Sequence, residues 1–536
     1  MTELPDLLTY VILLPLATGL MLFAIDGVAH SAGGSLPPQI WRGLGLGASL
    51  ATLVLTAMLW IGYDPTRIEM QFVAHAAWVP ALGINWYVGL DGISLLLICL
   101  TAFLVPIVLV ASWNDVGRSL RGYVFFMLFL ETGMLGTFAS LNLLQFYVFW
   151  ELMLVPMVFL IGVWGGPRRV YAAVKFFLFT MVGSLLMLVA LVAVAWLHAE
   201  QFGVWNFDLV AVPGSQVPAL LDTFVPVAGA PWWQTQSWLF AAFALAFAIK
   251  IPLVPLHTWL PDAHTEAPTA GSVLLAGVLL KMGGYGFLRF AFPLFPVATV
   301  EFVPLFFGLA LVGILYGALV AMVQTDIKRL VAYSSVAHLG FVTLGMFALN
   351  VEGLEGSVLQ MVNHGITTGA LFLLVGMLYE RRHTREISEF GGIAKPMPVF
   401  AAIFGVVVMA SIGLPLLNGF VGEFLILLGT FRVNAWVGAA ATLGVVLAAV
   451  YMLWMYRRVV FGPVENPENR GLIDLGGREK AVLVALLIPI FWIGIHPETF
   501  LKRLHPSVRE TLRVMEVRTV LTDPPALAEP DDVVRR

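Results

Sequence analysis

The chain has 536 residues, of which 12% are charged and 60% are hydrophobic, with a net charge of −4 and a mean hydropathy of +0.91. A soluble domain carries about 25% charged residues, and so few charges cannot tile a water-facing surface. A soluble globular enzyme, a disordered chain and a nucleic-acid binder are therefore excluded, and the solvent of this chain is lipid.

A spanning helix needs about 20 mostly apolar residues. Fourteen segments qualify, near 5–25, 41–63, 86–112, 121–140, 142–163, 171–198, 237–260, 269–291, 300–323, 328–349, 357–380, 397–430, 434–460 and 480–496. They are spans 1 to 14 in chain order. The pattern predicts one all-α polytopic membrane domain over 1–496 and a polar tail over 497–536. The alternating strands of a membrane barrel are not found. Met1–Asp6 carries Glu3 and Asp6 but no cation, so no cleavable signal is read there and span 1 is expected to be retained. Cys99 is the single cysteine, too few for a disulfide within the chain or a thiolate-ligated iron–sulfur cluster.

Cations set the expected orientation. Of the 29 Lys and Arg, 17 fall in odd-numbered connections, with Arg168, Arg169, Arg381, Arg382, Arg457 and Arg458 prominent among them. Only Arg67, Arg289 and Arg432 fall in even-numbered ones, while Lys250 and Lys281 lie inside spans and seven follow Ile495. Positive loops stay in the cytoplasm, so both termini are expected on the periplasmic side of a bacterial inner membrane. Residues 199–236 then form a long outward segment without Lys or Arg, whose Trp205, Trp232, Trp233 and neighbouring Trp238 fit an interfacial aromatic belt.

Two spans are interrupted. Span 7 contains Lys250-Ile-Pro252-Leu-Val-Pro255, and span 12 contains Gly413-Leu-Pro415 followed by Asn418-Gly419. Proline removes a backbone bond and clashes with the preceding turn. In lipid, freed backbone groups are tolerated only inside protein or beside a watery cavity. Discontinuous helices 7 and 12 are five apart, which suggests two five-helix repeats, about 121–291 and about 300–460, the second inverted. In the tail, Val508, Leu512, Val517 and Val520 are spaced as on a surface-lying helix, with a frayed terminus as the alternative.

An ionisable group at bilayer depth costs at least roughly 2.5–3.5 kcal/mol on insertion scales. Seven are found there: Glu131 (span 4), Glu151 (span 5), Lys250 (span 7), Lys281 (span 8), His338 (span 10), His364 (span 11) and Glu423 (span 12). Burial disfavours a charged form and a nearby opposite charge restores it. A lysine whose carboxylate partner comes and goes can therefore bind and release a proton. Glu151 and Lys250 fit such a switchable pair. Lys281, His338 and His364 fit a relay, because histidine titrates in the physiological range, and Glu423 fits the terminal group. Static buried ion pairs, satisfied core histidines and, for Glu131, a hydrogen bond to a neighbouring helix are the structural alternatives. His257 and His264 lie at the cytoplasmic mouth, seven positions apart across a proline, which favours proton uptake or loop structure over metal ligation. Gly43-Leu-Gly45-Leu-Gly47 has no preceding strand and reads as helix packing rather than dinucleotide binding.

Several segments carry a family resemblance. Asp326-Ile-Lys-Arg-Leu-Val-Ala-Tyr-Ser-Ser-Val-Ala-His338 and Pro261-Asp-Ala-His-Thr-Glu-Ala-Pro-Thr-Ala-Gly resemble segments of antiporter-like subunits. Asn363-His364-Gly and Gly413-Leu-Pro…Asn418-Gly-Phe-Val-Gly-Glu423-Phe narrow the likeness to the chain M (chain 4) branch of proton-pumping NADH:quinone oxidoreductase, respiratory complex I. Residues 85–505 share in it, and no site is read from the first 84. The resemblance implies fourteen helices, inverted repeats, Glu151 and Lys250 as the coupling pair, Lys281 as central relay and Glu423 as terminal site. Sister chains carry lysine at the last position, so the acid favours chain M. It implies no cofactor in this chain, with NADH, flavin, iron–sulfur clusters and quinone in other subunits. The partners it implies are membrane-arm subunits, sister antiporter-like chains among them, with lipid and protons. A subunit of a multi-chain cation/proton antiporter and a quinone-binding redox subunit remain as rivals.

Overall fold

The computed structural model describes residues 6–114, 116–117, 119–225 and 235–522. Among these, eleven helices are each long and apolar enough to cross a membrane: Leu7–Ser31, Pro38–Gly62, Gly92–Ala111, Leu120–Ala139, Leu143–Trp164, Arg169–Phe202, Thr269–Leu294, Val303–Met322, Ile327–Phe347, Val351–Arg382 and Ala435–Val460. They correspond to spans 1–6, 8–11 and 13. Gly477–Ile495, at span 14, is followed by Glu498–Thr522, and the two helices are bent by 69°. Spans 7 and 12 are each two shorter helices, Thr235–Lys250 with Trp259–Glu266 and Pro398–Ser411 with Asn418–Val433.

The helices are sorted by burial. Those of spans 8 and 11 are 100% buried in their apolar window and that of span 10 is 94% buried, against 33% for spans 1, 2 and 13. The outer helices turn Val28, Val54 and Val446 outward, as a lipid-facing surface requires. The inner three carry Lys281, His338 and His364.

Two expected elements differ. Span 3 does not begin at 86. A hairpin of β1 (Gln71–Val79) and β2 (Ile84–Leu90) occupies its start, turning at Gly83 with φ +65°. The run Trp86-Tyr87-Val88 suits a strand, and a short apolar run does not separate strand from helix by periodicity. Asp91 then caps the helix, accepting from Ser94 N at 2.9 Å. The tail's apolar face also differs. Val508 is buried in helix Glu498–Thr522, but Val517 is exposed, and Leu504 and Met515 complete the inner face instead. The side chain of Val520 lies outside the described residues.

The helix Glu498–Thr522 is not a frayed end. It packs on spans 3 and 11, and Gly92 N donates to Ser507 Oγ at 2.8 Å. Its Arg518 donates to Leu221 O and Thr223 O, and burial lowers this guanidinium to about 10. The segment after Phe202 is likewise strapped down, because Asn142 and Asn85 both donate to Asp208, at 2.8 and 2.7 Å. Trp205 and Trp238 are exposed; Trp232 and Trp233 lie outside the described residues.

Ion pairs report sidedness. Arg121–Asp26, Lys175–Asp262, Arg385–Asp326 and Arg381–Glu479 each join two odd-numbered connections. Arg432–Glu352 joins two even-numbered ones, and Asp91–Arg289 lies on that same face. Arg289 itself departs from its reading as a loop cation: it is buried at the end of span 8, with Nη2 2.5 Å from Asp91 Oδ1.

A side chain at Gly92 meets the Arg503 backbone. Gly92→Val should therefore lift the C-terminal helix and open it to added protease while the spans stay inserted; unchanged resistance would show that this contact does not hold the helix.

Candidate functional site

The first break sets the position of Lys250. Helix Thr235–Lys250 ends there because Pro252 cannot continue its hydrogen-bond ladder. Trp259 Nε1 donates to Ile249 O at 3.0 Å, satisfying one carbonyl at the interruption. Lys250 is 1% exposed and sits at the helix C-terminus, where the backbone dipole favours a cation. Its Nζ lies 4.5 Å from the Trp150 ring centre and makes no hydrogen bond. Glu151, half-buried at the joint between helices Leu143–Leu152 and Leu154–Trp164, has Ser184 and Lys250 as polar neighbours. Its Oε1 has no hydrogen-bond partner, and no ion pair within 4 Å ties it to Lys250. The two groups are near each other but not locked.

The second cluster is continuous over most of its length. Span 8 carries two π-helical stretches, Leu275–Leu279 and Phe287–Ala291, on either side of helix Lys281–Gly286. Such bulges recur at functional sites. Lys281, fully buried, donates from Nζ to Ala276 O and lies 2.6 Å from His364 Nδ1. A charged ammonium can only donate, so His364 Nδ1 accepts and its ring proton sits on Nε2. The His364 and His338 rings are 5.8 Å apart. His338 Nδ1 is 2.9 Å from Glu423 Oε1. The Nε2 atoms of both histidines have no partner. A small cavity beside them is lined by His338, Gln360, His364, Thr367 and Ser411.

The second break holds Glu423. Gly413 takes φ +75°, and a Cβ there stands 3.1 Å from Glu423 Oε2. Span 11 braces this region with Gln360, Asn363, His364 and Thr367 on one helix face. Gln360 Nε2 donates to Glu423 Oε1 at 3.1 Å, and Asn363 Nδ2 donates to Asn418 O at 2.7 Å. Thr367 Oγ1 and Asn418 Oδ1 are 3.2 Å apart. Of these four, Gln360, Asn363 and Thr367 were not among the sequence candidates. Their spacing of 3 and 4 inside an apolar helix was the available signal.

Other candidates stand apart. Glu131 is fully buried beside Ser49, but neither carboxyl oxygen has a hydrogen-bond partner, and the Ser49 hydroxyl donates to Gly45 O instead. His257 meets Tyr316 edge-on. His264 stacks on Phe372 with centres 4.8 Å apart; both its ring nitrogens are unpartnered, and Lys328 and Lys281 are its charged neighbours. Another missed network joins Arg289 to Asp91, Tyr285 and Ser94, and Tyr285 donates to Phe138 O at 3.0 Å.

Residues 140–448 match the family described as NADH:quinone oxidoreductase/Mrp antiporter, TM. The chain belongs to this antiporter family. It is 45% identical to NADH-quinone oxidoreductase subunit M of Rhodobacter capsulatus, covering 94% of this chain and 96% of the relative. It is 43% identical to NADH-ubiquinone oxidoreductase chain 4 of Arabidopsis thaliana, covering 88% and 91%. A chain of respiratory complex I from Thermus thermophilus with bound NADH superposes with a TM-score of 0.83, at 33% identity, over 95% of this chain and 99% of that one. The family match takes in both breaks and six of the seven intramembrane candidates, Glu131 lying ahead of it.

In this antiporter-family fold the brace at Asn418 carries a structural load. Asn418→Leu removes the side-chain contacts to Thr367 Oγ1 and Asn363 O, leaving the buried Thr367 hydroxyl unsatisfied at a cost of about 1–3 kcal/mol, while Asn363 keeps its bond to the backbone carbonyl of residue 418. The purified complex should unfold at a lower temperature; an unchanged midpoint would show that the broken helix does not depend on this brace.

Proposed function

We propose that this chain is a proton-translocating membrane subunit of respiratory complex I, of the subunit M or chain 4 type. It couples NADH:quinone electron transfer, carried out in other subunits, to proton movement through its own buried groups. The observation that carries the reading is the Lys281–His364–His338–Glu423 series, drawn from four different helices with two contacts at 2.6 and 2.9 Å. The relatives' names favour complex I over a separate cation/proton antiporter.

The chemistry follows from the geometry. When the Glu151 carboxylate approaches Lys250, it stabilises the ammonium; when it withdraws, the desolvated ammonium gives up its proton through water to the neutral amine of Lys281. Lys281 passes a proton from Nζ to His364 Nδ1, and His364 then loses the proton on Nε2. One water suffices to carry it across to His338 Nε2. His338 releases its Nδ1 proton to Glu423. Each step moves one proton and leaves His364 protonated on Nδ1, His338 on Nε2 and Glu423 as the acid, so before the next transfer both rings return to their first tautomer and Glu423 releases its proton. The Nε2 atoms are the ring nitrogens left without a partner, and the two rings 5.8 Å apart mark the one step that a direct contact does not cover.

Fourteen spans belong to this reading: the eleven single helices, span 14 and the two broken ones. So do the inverted repeats, about 121–291 and about 300–460, supported by breaks five spans apart. The spanning domain ends near 496, ahead of the 497–536 tail. Partners are the other complex I membrane subunits, lipid and the transported protons. NADH, flavin, iron–sulfur clusters and quinone belong to other chains. The location is the bacterial inner membrane with both termini periplasmic, supported by the cation count and by ion pairs that never join odd to even connections among the described residues.

Glu151→Gln or Lys250→Ala should leave the complex assembled and lower the rate of NADH-driven proton uptake by about tenfold or more, corresponding to ~1.4 kcal/mol or more. Normal pumping in both variants would refute the channel assignment. His338→Ala should lose less, because water can substitute between His364 and Glu423; a loss equal to that of Glu151→Gln would overturn this ranking. Sodium exchange in the absence of NADH would favour the antiporter instead.

A further inference from the structure

A narrow slot of about 420 Å3 opens between helices Pro38–Gly62, Gly92–Ala111, Val351–Arg382 and Gly477–Ile495. Its walls are apolar from Leu53 and Phe103 at the inner end to Trp60, Trp492 and Phe500 at the mouth. Ile61 and Ile488 line it and are also exposed on the outer surface, so it communicates with lipid along one side. From Leu53 to Ile61 a helix rises about 12 Å, close to the ~15 Å that one leaflet contributes to a hydrocarbon core of about 30 Å. Its apolar walls and leaflet depth suit a single hydrocarbon chain reaching from the interface to mid-membrane.

The mouth carries a cation without a counter-ion. Arg503, on the helix that turns 69° from span 14, lies 4.0 Å from the Trp60 ring centre. Its Nη1 donates to Thr499 O at 2.8 Å, while its Nε is buried and unpartnered. Among the described residues no carboxylate is within 4 Å of it; its ionisable neighbours are Cys99 and Tyr63. Trp60 and Trp492 both pack on Phe500, with centres 5.6 and 5.4 Å away. Tryptophans at headgroup level mark the edge of the hydrocarbon, and a guanidinium is a strong, geometrically matched partner for a phosphate.

We propose that this slot binds one acyl chain of an anionic phospholipid whose phosphate rests on Arg503. The lipid fills an apolar crevice of leaflet depth and neutralises the charge at its mouth. It thereby fastens the C-terminal helix to spans 2, 3 and 14. An isoprenoid quinone tail suits the slot but leaves Arg503 unpaired, so the headgroup decides between them.

The test uses the intact complex in phosphatidylcholine vesicles doped with phosphatidylglycerol bearing a photoreactive acyl chain. Parallel samples carry the same group on phosphatidylcholine or on a quinone analogue. Cross-links from the phosphatidylglycerol probe are expected on peptides containing residues 53–61 and 96–103. Arg503→Gln should lower their yield about tenfold, and Arg503→Lys should retain most of it. Ala485→Phe, which narrows the slot with Arg503 in place, should also remove the label, so a misfolded C-terminal helix is not needed to explain a loss. Equal labelling by both phospholipids without an effect of Arg503→Gln would overturn the proposal. So would preferential labelling by the quinone analogue, or lipid-free slot peptides that cross-link to a neighbouring subunit.

Discussion

Lipid offers no hydrogen bonds, so every polar group at bilayer depth must find its partner inside the protein. That constraint organises this chain. It explains why the polar side chains gather on spans 8, 10 and 11, which are almost wholly enclosed, while the outer helices show aliphatic side chains to the surroundings. It also explains why the two interrupted spans are braced from neighbouring helices. Trp259 serves the first break, and Asn363 and Thr367 serve the second. Groups that lack partners under this constraint, namely Lys250 Nζ, Glu151 Oε1 and the Nε2 atoms of His338 and His364, are the ones a proton path needs to leave uncommitted.

The two breaks use the constraint differently. At the first break, Lys250 and Glu151 are held near one another without a direct bond, which suits a charge that is alternately stabilised and abandoned. At the second, Glu423 is tied to His338 and Gln360 and pressed close to Gly413. One end is loose and the other fixed. Lys281 lies between them, its amine drawn toward His364 and the Ala276 carbonyl at a π-helical stretch.

Much of this was readable from the residues. Scarce charge, apolar runs and proline positions locate the spans and both breaks, because each has a local physical cause. Intramembrane charges stand out for the same reason, since few other than functional ones are tolerated. What escaped was set by contacts distant in sequence. Asp91 draws Arg289 out of an apparent loop and into a buried pair. Gly92 and Ser507 dock a polar tail onto the bundle. Trp86-Tyr87-Val88 joins a hairpin because β1 is there to receive it. Gln360, Asn363 and Thr367 look like ordinary polar residues until the broken helix they support is placed beside them.

The central claim is that Lys250, Lys281, His364, His338 and Glu423 belong to one proton path. An experimental structure of the intact complex at a resolution that shows ordered water tests it most directly. The account predicts water bridging His364 Nε2 to His338 Nε2, and a hydrated passage between Lys250 and Lys281. Dry apolar packing in both gaps, with the two clusters sealed from each other, would contradict it.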